Sequence, residues 1–228
     1  MTVMPEPAPS RPRIGRPPQI SRPEIIATAR RIVEEEGLQH LTMRRLAREV
    51  GSTPMAVYHH VKDKEELLVL LLDDYAQQIP RPDLPEPARE RIIAAGIAMH
   101  DALVQYPWIT EVLTADSLLA TSALWYPESI IDAAITAGLT PEQAVHAYRT
   151  IWYYTAGEIL VRTNASRHRQ DTDRPTHRER VFATLDPQSL PRLAALADRW
   201  GALTAQDTYR NGLQAIVDGL IGQARQTG

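Results

Sequence analysis

An all-α chain is predicted, and three observations predict it. From Ser21 onward apolar residues recur at helical spacing, with no convincing alternation of period two. Polar residues with capping chemistry precede the periodic stretches: Ser21 with Glu24, Asp63 with Glu66, and Thr140-Pro141 with Gln143. Gly37, Gly51 and Gly138 stand where those stretches stop.

The elements follow in order. Residues 1–20 are mostly Pro, Arg and small side chains, which cannot bury a core, so a disordered basic arm is expected. Helix 22–36 carries Ile25, Ile26, Ala29, Ile32 and Val33 on one stripe. Short helices follow at 42–50 and 54–60, then a longer one at 64–79. The proline-rich stretch from Pro80 to Pro87 ends it and spaces the next. Further helices are expected at 87–105, 108–119, 125–137, 141–165, 189–202 and 205–225, about nine or ten in all. Residues 166–180 are polar and turn-rich and read as a mobile loop. The divisions expected are an arm at 1–20, a small domain at 21–66 and a helical body at 67–228.

Composition limits the chemistry. There is no cysteine, hence no disulfide, thiolate metal site or thiol nucleophile. No apolar run reaches membrane-spanning length, the longest being Leu67 to Leu72. The basic, proline-rich start lacks the apolar stretch of a signal peptide, so a cytoplasmic protein is expected. Net charge is −3 but unevenly spread: residues 1–64 hold 11 Lys and Arg against 7 Asp and Glu, the remainder 14 against 21. A basic head on an acidic body suits a phosphate-binding module joined to a domain that does not touch DNA.

The informative stretch is LTMRRLAREVGSTPMAVYHHVKDK, residues 41–64. Leu46, Ala47 and Val50 form an apolar face, Gly51 permits a tight turn, and Val57 and Val61 continue the buried face on a second short helix. Thr53 is placed to cap that helix, with Pro54 in its first position. Met55, Tyr58 and His59 then point outward, as on a helix that enters the major groove. Arg44, Lys62 and Lys64 flank it, within reach of phosphate or a guanine edge. A generic helical hairpin with a solvated face would share the turn pattern. It would not account for the third helix at 22–36 or the basic arm.

Residues 22–79 resemble the DNA-binding head of the tetracycline-repressor (TetR) family of bacterial regulators. The resemblance rests on ATARRIVEEEGLQHLTMRRLAREVG and TPMAVYHHVKDKEELL, including the Tyr58–His59–His60–Val61 run and Lys64. Ser52 departs from the small apolar residue usual there. The resemblance implies a three-helix helix-turn-helix head, a connecting fourth helix, and a helical body for effector binding and dimerisation. By position it implies DNA contacts from Thr42, Arg44, Thr53, Met55, Tyr58, His59 and Lys64, with Thr42, Tyr58 and Lys64 on phosphate and Met55 and His59 nearest the bases. Within the arm, Gly15-Arg16-Pro17 resembles elements that enter narrow A/T minor grooves, which would place Arg13 or Arg16 there. The alternative is a solvated tail adding only non-specific attraction.

Along the body the resemblance weakens, through HDALVQYPWITEVL and YRTIWYYTAGEILVR. Ala156, Gly157 and Leu160, with Gly212, Ala215, Ile216, Gly219 and Leu220 on the last helix, form small-residue stripes expected at a homodimer interface. Burial within one chain would explain such stripes too. His100, Trp108, Trp125, His146, Arg149, Trp152 and Tyr153 are candidates for an effector pocket, apolar walls with a few polar groups. Trp152 and Tyr153 point differently on their helix, and a lone His100 is as well explained as a satisfied core residue. No Gly-rich phosphate loop, His-Glu-x-x-His or nucleophile elbow occurs. His59 and His60 diverge on a helix, which disfavours a shared metal; with those motifs missing, no cofactor or enzymatic activity is expected either. The resemblance implies a ligand-responsive repressor that binds a palindromic operator as a dimer. Two rival readings are a DNA-binding regulator without small-molecule input and a helical enzyme or carrier with a vestigial head.

Overall fold

A computed structural model describes residues 20–115, 118–170 and 176–227, the side chains of 167–170 and 225–227 excepted. These residues form twelve α-helices and two 3-10 turns, with no strand. The chain divides into two compact units, 1–67 and 68–228, and the division falls inside the fourth helix.

The first unit holds α1 (Arg22–Glu36), a 3-10 turn (Leu38–His40), α2 (Met43–Glu49), α3 (Pro54–Tyr58) and the start of α4 (Lys64–Gln78). Ser21 and Glu24 form the complete reciprocal box at the start of α1. At α4 only half of the expected box is made. Asp63 accepts the Glu66 N–H at 2.8 Å, whereas the Glu66 carboxylate takes the backbone N–H of Lys62 at 2.6 Å and pairs with Arg22. Gly37 and Gly51, at φ 95° and 64°, occupy the left-handed region that favours glycine. Ile25, Ile32, Leu41, Leu46, Val57, Val61 and Leu67 are fully buried, each contributing roughly 1.5–3 kcal/mol. Val50, expected on this face, is only half-buried because it is the C-cap of α2.

The second unit contains the rest of α4, α5 (Ala88–Gln105), α6 (Pro107–Ala115), a 3-10 turn (Thr121–Ala123), α7 (Trp125–Thr136), α8 (Pro141–Gln170), α9 (His177–Phe182), α10 (Pro191–Ala194), α11 (Trp200–Thr204) and α12 (Tyr209–Thr227). Its core lies where α5, α7, α8 and α12 pack together, with α6 against α5 and α8. Ile92, Met99, Ile130, Ile151, Ile159, Leu213 and Val217 fill it. Thr140 and Gln143 complete the box at α8, and Gly138 ends the preceding turn at φ 103°.

Three expectations are corrected. Within the stretch read as loop, 166–170 continue α8, because nothing from Arg162 to Gln170 breaks a helix, and 177–180 open α9 behind the Thr176–Glu179 capping box. The helix expected at 189–202 is two short pieces, α10 and α11, separated by turns. The helix expected at 54–60 ends at Tyr58, and its last two residues close a turn. The helix count therefore exceeds the nine or ten expected. Among the described residues no helix is long and apolar enough to cross a membrane.

Candidate nucleic-acid interface and effector region

Two threonines set the helix-turn-helix. The Thr42 hydroxyl accepts the Arg45 N–H at 3.1 Å and caps α2, and Thr53 accepts the Ala56 N–H at 3.2 Å and caps α3. Between them the Ser52 N–H donates to the Ala47 carbonyl at 2.9 Å, so the departure at Ser52 sits in a closed turn. Val57 faces the core while Met55 and Tyr58 are 69% and 45% exposed. His59 is the exposed C-cap of α3, and Thr42, Arg44, Thr53, Lys62 and Lys64 are exposed as well. Arg13 and Arg16 lie outside the described residues.

The cations of this unit fall into two groups. Arg45 pairs with Glu36 at 2.7 Å and with Glu49 at 2.9 Å, and Arg31 reaches Glu49 at 2.8 Å and Glu35 at 3.4 Å. Hydrogen bonds from Arg31, then Arg45, hold the Glu49 carboxyl below its ordinary range. These side chains tie the end of α1 to α2. Arg44, Arg48, Lys62 and Lys64, by contrast, make no ion pair among the described residues and are exposed. Arg48 was not singled out in the sequence; its place one turn after Arg44 on the exposed side of α2 is the signal that could have found it.

The effector candidates do not converge. His100 stacks on Tyr209, ring centroids 3.7 Å apart, and its two ring nitrogens lie 3.2 Å from Asp101 and 3.1 Å from Glu158. Tyr209 in turn stacks on Tyr154, and its hydroxyl meets Thr155 at 2.7 Å and the Gly96 carbonyl at 3.2 Å. Burial raises its phenol well above the ordinary range. That makes His100 part of a satisfied polar cluster. Trp108 packs edge-on against Tyr75, which also meets Tyr106. Trp125 stacks on Tyr126 and lies under the Arg81 guanidinium. His146 and Arg149 are exposed, Arg149 bonds the exposed Tyr153, and Trp152 is half-buried. An apolar gap among Ile92, Ile130, Ile151 and Val217 measures only about 10 Å³.

Two residues absent from the sequence reading carry a different signal. The hydroxyls of Thr110 on α6 and Tyr126 on α7 are buried without a hydrogen-bond partner among the described residues, an arrangement that costs stability unless something else satisfies them. Burial pushes the Tyr126 phenol up to about 12. Nearby, the Asp73 carboxylate on α4 accepts the Ser122 N–H at 2.9 Å and Arg81 reaches the Ser122 carbonyl at 3.4 Å.

The small-residue stripes split. Ala156 is buried inside the subunit, and a Cβ on Gly212 would collide with the Tyr154 hydroxyl and stand 2.6 Å from its ring carbon. Both are explained by close packing within one chain. Leu160, Ile216 and Leu220 are half-buried. Gly157, Ala215 and Gly219 are exposed, and nothing lies within 4 Å of a Cβ built on either glycine. Among the described residues no group of three or more His, Asp or Glu side chains is placed to hold a metal.

Residues 25–71 match the family model for bacterial regulatory proteins of the tetR family, and 81–223 match the tetracyclin repressor-like C-terminal domain. The chain is 31% identical over 219 residues to the HTH-type transcriptional repressor DrrR1 of Streptomyces coeruleorubidus, covering 92% of this chain and 80% of that one. It is 27% identical to the class A tetracycline repressor of transposon 1721 from Escherichia coli, covering 86% and 88%. A solved structure of BioQ with its double-stranded DNA operator matches at 29% identity and a TM-score of 0.63, over 90% of this chain and 99% of that one. The fold is shared with Streptomyces coelicolor ActR bound to actinorhodin, at 24% identity and a TM-score of 0.73, over 92% and 99%. The chain belongs to the TetR family of bacterial DNA-binding transcriptional regulators.

Proposed function

We propose that this regulator is a ligand-responsive repressor that binds a palindromic operator as a homodimer in the cytoplasm and performs no catalysis. The observation that carries the DNA side is α3 itself. A five-residue helix capped by Thr53 leaves Met55 and Tyr58 exposed beside four cations that no carboxylate among the described residues engages. Stranding a Met and a Tyr in water gains the fold nothing; on a groove-entering helix they have bases and phosphates to meet. Thr42, Tyr58, Arg44, Arg48, Lys62 and Lys64 take phosphate, and Met55 and His59 lie nearest the base edges. A two-fold dimer sets two such helices about one DNA turn apart on an inverted repeat.

Gly157, Ala215 and Gly219 form the outward face through which two copies meet. The effector meets the body beside the start of α7, where the Tyr126 hydroxyl has no partner among the described residues and Trp125 lies under Arg81. Related proteins support both partners by what their structures contain: BioQ its DNA operator, ActR actinorhodin. The bound state must be preferred by a few kcal/mol to change operator occupancy strongly. Footprinting on DNA flanking the protein's own gene tests the reading. A protected inverted repeat, lost in Tyr58→Ala and Lys64→Ala dimers of normal helicity, supports it. No sequence-specific protection refutes it.

A further inference from the structure

The basic residues are divided by type as well as by place. Of the 25 in the chain, 23 are arginine, and the two lysines are Lys62 and Lys64. The difference is chemical. A guanidinium stays protonated and does not act as a nucleophile, whereas an ammonium can shed a proton and become a primary amine that accepts an acyl group. Every side-chain amine of the sequence therefore stands within three residues, between the end of α3 and the first residue of α4.

The fold leaves both amines open. Lys62 and Lys64 are exposed, and neither has an ion pair among the described residues. The carboxylate one turn beyond Lys62 is Glu66, and it is engaged elsewhere: it accepts the Lys62 backbone N–H at 2.6 Å and pairs with Arg22. Asp63, between the two lysines, accepts the Glu66 N–H at 2.8 Å. These carboxylates close the turn into α4 rather than clamp an ammonium. With Arg44 and Arg48, the two lysines are also the cations assigned above to DNA phosphate. A surface that gathers phosphate gathers phosphate-bearing reagents too. An acyl phosphate, the mixed anhydride of a carboxylic acid and phosphoric acid, carries that charge and joins it through one oxygen to an electrophilic carbonyl.

We infer that Lys62 and Lys64 are an acylation site, modified by an acyl phosphate, through which the supply of activated acyl groups sets operator affinity. The unprotonated Nζ attacks the acyl carbon, the bond from that carbon to the bridging oxygen breaks, and phosphate leaves with the electron pair. The nitrogen releases one proton to water and becomes a neutral amide. Each event deletes one positive charge. A dimer modified at both lysines of each subunit loses about four phosphate contacts, which flattens the slope of log affinity against log salt by about 3.6. DNA and the reagent compete for the same nitrogens, so bound DNA shields the site. The inference rests on the phosphate role of these lysines, and the experiment separates the two.

The full chain is incubated with acetyl phosphate, or with acetyl-coenzyme A as the thioester alternative, and peptide mass spectrometry follows Lys62 and Lys64. Fluorescence anisotropy reads binding of a labelled duplex from the DNA flanking the protein's own gene. Both lysines should react with acetyl phosphate at least about tenfold faster than the amine of free Nα-acetyllysine, and should slow by about the same factor when the duplex is saturating. Modified protein should bind the duplex at least about a hundredfold more weakly. Lys62→Arg/Lys64→Arg has no side-chain amine, and its affinity, whatever the starting value, should not change on treatment. Reaction no faster than that of the free amino acid overturns the acylation site and leaves the DNA reading standing. So does a fully modified protein of unaltered affinity, or an Arg variant that weakens as much as the wild type. Faster reaction with the thioester at equal concentration overturns the acyl phosphate as donor. An untreated protein that binds no duplex DNA overturns both readings.

Discussion

Arg44 and Arg45 are neighbours in sequence with opposite circumstances, which makes them a test of the interface. Arg45 is held by Glu36 and Glu49, while Arg44 is exposed and, like Arg48, Lys62 and Lys64, has no ion pair among the described residues. If these four cations each displace a counterion from phosphate, a dimer displaces about eight. The slope of log affinity against log salt is then about −7 from this set alone. Raising salt from 50 to 200 mM would weaken binding roughly ten-thousand-fold. Arg44→Ala removes one contact per subunit, flattening the slope by about 1.8 and reducing that loss roughly tenfold. Arg45→Ala should leave the slope unchanged and instead lower the thermal midpoint of the head. Fluorescence anisotropy of a labelled operator fragment across a salt series reads the slope, and a thermal melt reads the stability. Equal flattening by the two variants, or by neither, would refute the division of cations made here.

Other perturbations follow from the same contacts. Thr53→Ala should cost about 1 kcal/mol through loss of the α3 cap, weakening operator binding, and Thr53→Ser should restore both in denaturation and gel-shift assays. Gly212→Ala should destabilise by about 1–3 kcal/mol, as overpacking against Tyr154 demands; a urea midpoint equal to wild type would contradict the packing described. Tyr126→Phe should leave the unliganded fold unchanged or more stable by about 1 kcal/mol while blunting effector-induced operator release; clear destabilisation would show the hydroxyl to be satisfied. Glu24 and Glu49 have folded-state acidities held below the ordinary 4.5 by the hydrogen bonds of Ser21 and of Arg31 and Arg45. The folded state thus binds fewer protons than the unfolded one. The stabilisation is complete above about pH 4.5 and lost as pH falls through the folded values, so thermal midpoints should drop there and Glu49→Gln should flatten the drop.

Much of the fold could be read from local chemistry, because caps and stops depend on a few adjacent residues. Ser21, Thr53 and Thr140 cap as expected, and Gly37, Gly51 and Gly138 adopt positive φ. Ala47, Leu46, Val57 and Val61 are buried together because their spacing allows only one inward face. What the sequence could not decide depends on partners distant along the chain. Glu49, one turn on, is a local sign that Arg45 is paired where Arg44 is not, but the second partner, Glu36 on α1, cannot be read from spacing. Apolar periodicity also fails on a stretch with no apolar residue, which is why Ser166 to Gln170 read as loop. The effector candidates were chosen by residue type, and type does not reveal that His100 is already satisfied by Glu158, 58 positions away. Thr110 and Tyr126 stand out only because their hydroxyls have no partner among the described residues, and that has no sequence signature.

The hydrogen bond from Ser122 to Asp73 has a mechanical implication. The donor is a peptide N–H in the turn leading into α7, and the acceptor sits on the helix whose first residue is Lys64. Sliding one segment past the other breaks this bond, leaving Asp73, among the described residues, with only the Gln77 amide at 2.8 Å. Parting the turn before α7 from Asp73 therefore costs one charge-assisted bond, roughly 1.5–3 kcal/mol.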